Sequence, residues 1–235
     1  MKISKILIAL TIVLMIFVGA DLLRADAGVY NYAGEKVQYL ISPFGESEYN
    51  DLGVVDLNGT RVNLVTFRTK VLMFEDMEKI YSDPDTLLPI KVERNISKLW
   101  IKEYVTEEYD QKKFTVTLRK FNEGKVIYER ITKAKGPIHN AITLAFNMRG
   151  TEGLKIGWQF NVRAPDNELK IKLVSIDEIT IPAGKFQAYH FKSIPDRVEI
   201  WVDKNDPRVL LKIQGKSILG YVIAMKKYSR RDNCP

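Results

Sequence analysis

Two histidines, His139 and His190, and one cysteine, Cys234, are all that this 235-residue chain offers for imidazole or thiol chemistry. Zinc sites need such residues at short fixed spacings, and neither HExxH nor a paired-cysteine spacing occurs. A hydrolase serine sits on a strained turn written G-x-S-x-G, which is absent. Without GxGxxG or a phosphate loop, nucleotide binding has no support. The acidic pairs Glu107-Glu108 and Asp177-Glu178 hold the residue types for acid–base work. Adjacent residues of a strand point to opposite faces, however, so each pair reads as surface carboxylates. The pattern predicts no catalytic residue, no metal, no cofactor and no enzyme.

His190 closes the stretch "TIPAGKFQAYHF", residues 180–191. Pro182 cannot donate to a sheet ladder and marks a strand end. Gly184 frees the turn. Phe186, Ala188 and His190 then share one face, and Gln187, Tyr189 and Phe191 the other. His190 reads as a satisfied sheet histidine.

Period-two alternation dominates the elements around it. Strands are expected at Lys36–Ser42, Gly53–Leu57, Arg61–Phe74, around Ile90–Ile96, Trp100–Tyr109, from Phe114 and at Val126–Thr132. Beyond residue 150 they follow at Trp158–Arg163, Leu169–Ile176, Lys185–Ser193, Arg197–Val202, Val209–Gln214 and Ile218–Lys226. Asn58-Gly59 is a hairpin turn, because both residues accept positive φ. With short connections, about a dozen strands form one antiparallel sheet.

One segment departs from this: "GPIHNAITLAFNMRG", 136–150, reads as a helix. Gly136 can cap it, Pro137 suits its first position and Gly150 its end. Ile138, Ile142, Ala145 and Phe146 make an apolar side, while His139, Asn140, Thr143 and Asn147 form a polar stripe without charge. A solvated helix face carries Lys or Glu, so this helix is expected to be covered by the sheet. It either plugs the core or lines a partly open cavity. Ile218–Met225 is apolar on both sides, as a covered strand or a greasy pocket wall would be.

The ends bear on location. Lys2 and Lys5 precede the uncharged run Ile6–Ala20, and Ala25-Asp26-Ala27 offers the small-x-small pattern of signal cleavage between Ala27 and Gly28. Residues 1–27 are read as a signal peptide for export to the periplasm; an uncleaved anchor in the inner membrane is the alternative. Residues 28–229 form a single β-rich domain and 230–235 a flexible tail containing Cys234. The formal charge of +7 is spread among acids, not gathered on one face, which argues against nucleic acid.

Four stretches in order, "GEKVQYLIS", the helix ending in Met148-Arg149, "IPAGKFQAYHF" and "IWVDKNDPRVLLKI" at 200–213, resemble the exported bacterial family catalogued as domain of unknown function 3108. The likeness covers roughly residues 34–228. In such proteins a proline usually follows soon after the last arginine; here Val209-Leu210 follows Arg208. The resemblance implies a mainly β fold, a curved antiparallel sheet forming an open half-barrel with one helix against its concave face, as in lipoprotein carriers. It transfers no catalytic residue. The expected role is binding of a lipid, glycolipid or other amphipathic envelope ligand by a monomer. Thr143, Asn147, Trp158, Tyr189 and Trp201 are the candidates for the lining. A scaffold working through an envelope protein partner is the alternative.

Overall fold

The computed structural model describes residues 32–164, 167–216 and 220–231. The signal segment, its cleavage site at Ala27 and Gly28, and Cys234 lie outside them. The strands are β1 (Glu35–Ser42), β2 (Gly45–Leu57), β3 (Thr60–Val71), β4 (Phe74–Ser82), β5 (Pro89–Lys98), β6 (Ile101–Asp110), β7 (Thr115–Asn122) and β8 (Lys125–Lys133). After the helix α1 (Ala141–Asn147) and a 3-10 turn (Met148–Gly150) come β9 (Gln159–Ala164), β10 (Asn167–Ile181), β11 (Gly184–Ile194), β12 (Val198–Asp203), β13 (Leu210–Gly215) and β14 (Tyr221–Arg230). All fourteen join one antiparallel sheet in the order β8-β7-β6-β5-β4-β3-β2-β1-β14-β13-β12-β11-β10-β9. It stays open rather than closing into a barrel.

Two hairpin meanders therefore meet at a seam between the first and last strands. Along it Val37 lies opposite Tyr228, Tyr39 opposite Met225 and Ile41 opposite Ile223. The sheet also curls, since the tip of the β10–β11 hairpin reaches back across it and Ala183 N donates to Met225 O at 3.1 Å.

Alternation sorts the two faces. Val37, Tyr39, Tyr49, Val65, Ile80, Val92, Leu173, Phe191 and Ile200 point inward and form one buried cluster with Leu144 and Met148 of the helical segment. The outer face of the first half is wet and cross-linked by charge: Lys36 meets Glu48 at 2.8 Å, Arg68 meets Glu75 at 2.6 Å, and Arg119 meets both Glu108 and Glu129 at 2.6 Å.

Three expectations are corrected. The run Arg61–Phe74 is not one strand: it reverses at Leu72-Met73, and Phe74 opens β4. β4 escapes the pattern because its inward residues include Asp76 and Glu78 beside Phe74, Ile80 and Ser82. The last strand runs past Lys226 and takes in the first residue of the tail expected at 230–235: β14 ends at Arg230, which pairs with Glu35, Tyr228 turns inward, and Arg231 N still reaches Gly34 O at 3.2 Å.

The helix is shorter than its pattern, starting at Ala141 rather than 136. The Gln111 side chain explains the delay. Its amide accepts from Ile138 N at 2.9 Å and donates to Ile138 O at 2.8 Å, holding Ile138 extended as a neighbouring strand would. Asn140, not Gly136, caps the helix: its Oδ1 accepts from Ile142 N at 2.8 Å. An Asn-to-Ala change at such a cap costs about 1 kcal/mol. Asn140→Ala is expected to lower stability in urea unfolding by about that amount, with Asn140→Asp retaining most of it; equal losses in both variants would remove the cap from the account.

Candidate functional site

The inner face carries the chemistry that the strand pattern hid. At its centre Arg149, the first charge after the helix, is fully buried against fully buried Glu35 of β1. The guanidinium donates from Nη1 to Glu35 Oε2 at 2.7 Å and from Nη2 to Oε1 at 2.6 Å. Its Nε and Nη2 also donate to Pro207 O at 3.0 and 2.8 Å, and its plane lies 4.0 Å from the Tyr32 ring centroid. Tyr228 of β14 donates to Glu35 Oε1 at 2.9 Å. Every oxygen of this buried carboxylate is thus met, which a charge removed from water requires. The pair ties the helical segment to the seam and also to the β12–β13 connection.

A second ionic group lies within the first meander. Asp76, Glu78 and Arg94 are all buried. Arg94 Nη2 bonds Asp76 Oδ2, its Nε is 3.7 Å from Glu78 Oε1, and Tyr109 donates to the neighbouring Glu107. Three carboxylates face one guanidinium. Burial above all, with Asp76 and Glu107 adding and Arg94 opposing, pushes Glu78 up to about 8. Glu78 therefore holds a proton at neutral pH, which lowers the charge the cluster must bury. Among the described residues no group of three or more His, Cys, Asp or Glu could hold a metal ion.

His190 lies on the outer face. It is buried, stacked on Trp201 at 4.3 Å between ring centroids, and Lys212 covers the other side of that indole with its Nζ 4.3 Å from the centroid. Nδ1 sits 2.9 Å from Asp177 Oδ2 and Nε2 sits 2.7 Å from Glu199 Oε2. Ser175 Oγ is 3.2 Å from the same Nδ1. The contacts resemble a nucleophile–base–acid chain. Yet a carboxylate oxygen faces each ring nitrogen, and Ser175 shares Nδ1 with Asp177 instead of having a nitrogen to itself, unlike the one-nitrogen-each arrangement of a nucleophile–base–acid chain. Glu199 is held low, at about 2: burial opposes this, and hydrogen bonds from Lys216, His190 and Lys192 outweigh it.

The sequence candidates divide between the faces. Thr143 is buried and its hydroxyl donates to Asn140 O at 3.3 Å. Asn147 ends α1. Trp158 is half-buried, packed at 5.1 Å from Phe160 and edge-on to Phe191 at 6.2 Å. Tyr189 is buried and points inward like Phe191, with the Arg208 guanidinium 6.0 Å from its ring. Trp201 stands on the outer face beside His190, so it cannot share a lining with Tyr189. Trp158 and Tyr189 remain on one apolar inner surface with Phe191 between them. The two buried ionic groups escaped sequence reading; Glu35 and Arg149 stand 114 positions apart.

Two consequences can be measured. Arg149→Met leaves a buried, unpaired carboxylate and is expected to cost about 3–5 kcal/mol in chemical unfolding, while Glu35→Gln with Arg149→Met recovers much of the loss. Glu78 keeps its proton in the folded chain up to about pH 8 but loses it near 4.5 when unfolded. Its contribution is therefore complete below 4.5 and lost as pH rises toward 8. The melting-temperature difference, Glu78→Gln minus unaltered protein, should grow between pH 5 and 8; a flat difference would refute the protonated carboxyl.

Among solved structures, the chain is similar to a β-barrel-like protein of domain of unknown function DUF1849 from Brucella abortus, at 10% identity, covering 84% of this chain and 98% of that one with a TM-score of 0.50. That likeness concerns the fold alone. No curated protein matches. Residues 44–226 match the family described as "Protein of unknown function (DUF3108)", and the chain belongs to it.

Proposed function

We propose that the protein is an exported, non-enzymatic envelope protein whose half-barrel takes a lipid or another amphipathic envelope molecule on its inner face. The observation that carries this reading is the apolar margin where the inner surface runs out beside β9. Leu154, Trp158 and Phe160 are half-buried there against the main cluster, and Ile156 is exposed. Such a surface, close to a few polar anchors such as Arg208, is how concave sites bind apolar molecules. The helix is pinned at Gln111 and Arg149, so entry by an alkyl chain is expected at this margin and not beneath the helix. The absence of enzymatic activity rests on His190 being engaged at both nitrogens and on the burial of the acidic cluster. Export rests on Lys2, Lys5 and the apolar run that follows them.

Native mass spectrometry of protein taken from the cell tests the reading, together with titration by the fluorescent apolar probe N-phenylnaphthylamine. Retained lipid mass and a saturable fluorescence rise are expected, with Trp158→Ala weakening the probe about tenfold. Ligand-free protein and no saturable signal would sink the proposal.

A specific feature also favours the scaffold alternative. β8 is an edge strand whose Val126, Ile127, Tyr128 and Ile131 are all exposed. An open apolar edge is a template for an added strand. Co-purification of an envelope partner that Ile131→Pro abolishes, with no lipid retained, would favour that role.

A further inference from the structure

Three successive hairpins at one end of the sheet break a local rule by carrying apolar residues at their tips, while the fourth there, β7–β8, turns through Glu123-Gly124. Ile41, Gly45, Val71, Phe74, Lys98 and Ile101 are successive partners across six strands, so they lie in one row. The three turns just beyond that row are Pro43-Phe44, Leu72-Met73 and Leu99-Trp100. All three are apolar. Trp100 is 88% exposed, Leu72 72%, Phe44 65% and Met73 63%. Neighbouring strands are about 4.8 Å apart, so the tips stand about 10 Å from one another along a line of about 20 Å.

Backbone conformation makes this costly. Leu72 has φ 52° and Leu99 φ 55°, the left-handed region that favours Gly or Asn and that a bulky side chain enters at a penalty. At the opposite end the β2–β3 turn uses Asn58-Gly59, and the bulky residues that share this conformation there are covered: Phe114 (φ 54°) packs against Ala134 and Ile138, and Leu87 (φ 55°) is half-buried. Leucine twice replaces the favoured residue, in adjacent hairpins, with Leu72 72% and Leu99 47% exposed. Strain kept at exposed positions marks function.

We propose that this rim is a membrane-contacting surface: the three tips insert into the headgroup region of a lipid bilayer carrying anionic lipid. A row of separate convex tips suits a fluid that closes around each one better than the flat patch of a protein partner. An indole is the side chain best placed at a membrane interface. Lys70 and Lys102, both exposed, flank the β3–β4 and β5–β6 tips within two residues and suit anionic headgroups. The rim lies away from the β9 margin, and the inference does not depend on the inner face taking a ligand.

The test uses vesicles of phosphatidylcholine and phosphatidylglycerol, 3:1 by design, with brominated acyl chains in a parallel set. The full chain is compared with Leu72→Asn/Leu99→Asn and with Trp100→Thr. Flotation is expected to fall about tenfold or more for the double variant, on the scale of two apolar side chains withdrawn from lipid. Brominated lipid should quench the emission that Trp100→Thr removes. Asparagine relieves the left-handed backbone, so the double variant should melt at the same temperature or higher while binding less. Equal flotation of all three chains would overturn the proposal, since binding would then run through another segment. So would unquenched Trp100 emission, or a melting temperature several degrees lower in the double variant. Wild-type protein that sediments as a dimer and ignores vesicles, while the double variant is monomeric, would assign the rim to a second copy of the chain instead.

Discussion

The Arg149–Glu35 pair is the contact on which the arrangement of the chain depends. A guanidinium and a carboxylate with no solvent exposure are affordable only when each polar atom is met, and here they are, by one another, by Tyr228 and by Pro207 O. The geometry demands that four distant pieces be in place together: the start of β1, the end of the helical segment, the β12–β13 connection and the last strand. Apolar packing alone would tolerate the helix in several positions on a greasy surface. A buried bidentate pair accepts one.

The two halves of the sheet then differ in what they bury. The second meander presents mainly aliphatic and aromatic side chains inward, among them Leu173, Phe191, Ile200 and Leu211. The first meander mixes such residues with Asp76, Glu78 and Arg94. A protonated Glu78 is the physical compromise there, since full ionisation of Asp76 and Glu78 against Arg94 would leave one unopposed negative charge within a region that excludes water. On the outer face of the second meander, His190, Trp201 and Glu199 are buried with the side chains of Lys192, Lys212 and Lys216 laid against them.

Much of the architecture was legible in the sequence. The Asn58-Gly59 turn, the alternation from Lys185 to Ser193 and the uncharged stripe of the helical segment each express a local rule that the fold obeys. Legibility failed where a side chain's environment came from far away. β4 was missed because inward acids read as outward ones without Arg94, which lies eighteen positions on. The helix start was misplaced because its competitor, Gln111, belongs to another hairpin. The break at Leu72-Met73 was invisible because it uses residues that turns ordinarily avoid. The candidate lining was half legible: period two put Tyr189 and His190 on opposite faces, but nothing local told which face Trp201 would share.

The seam has a kinetic meaning. β2 to β8 form a ladder of sequence neighbours, each strand able to pair with the one just before it. β1 borders both β2 and β14, so its second partner is synthesised long after the first: Glu35 and Tyr228 stand 193 positions apart. Until then β1 is an exposed edge and Glu35 lacks Tyr228. The second meander cannot join the first by any shorter route. Joining of the two halves is thus deferred to a single late event that requires both meanders. Trimming a few residues before Arg230 would not shave an edge but would weaken the join between the halves.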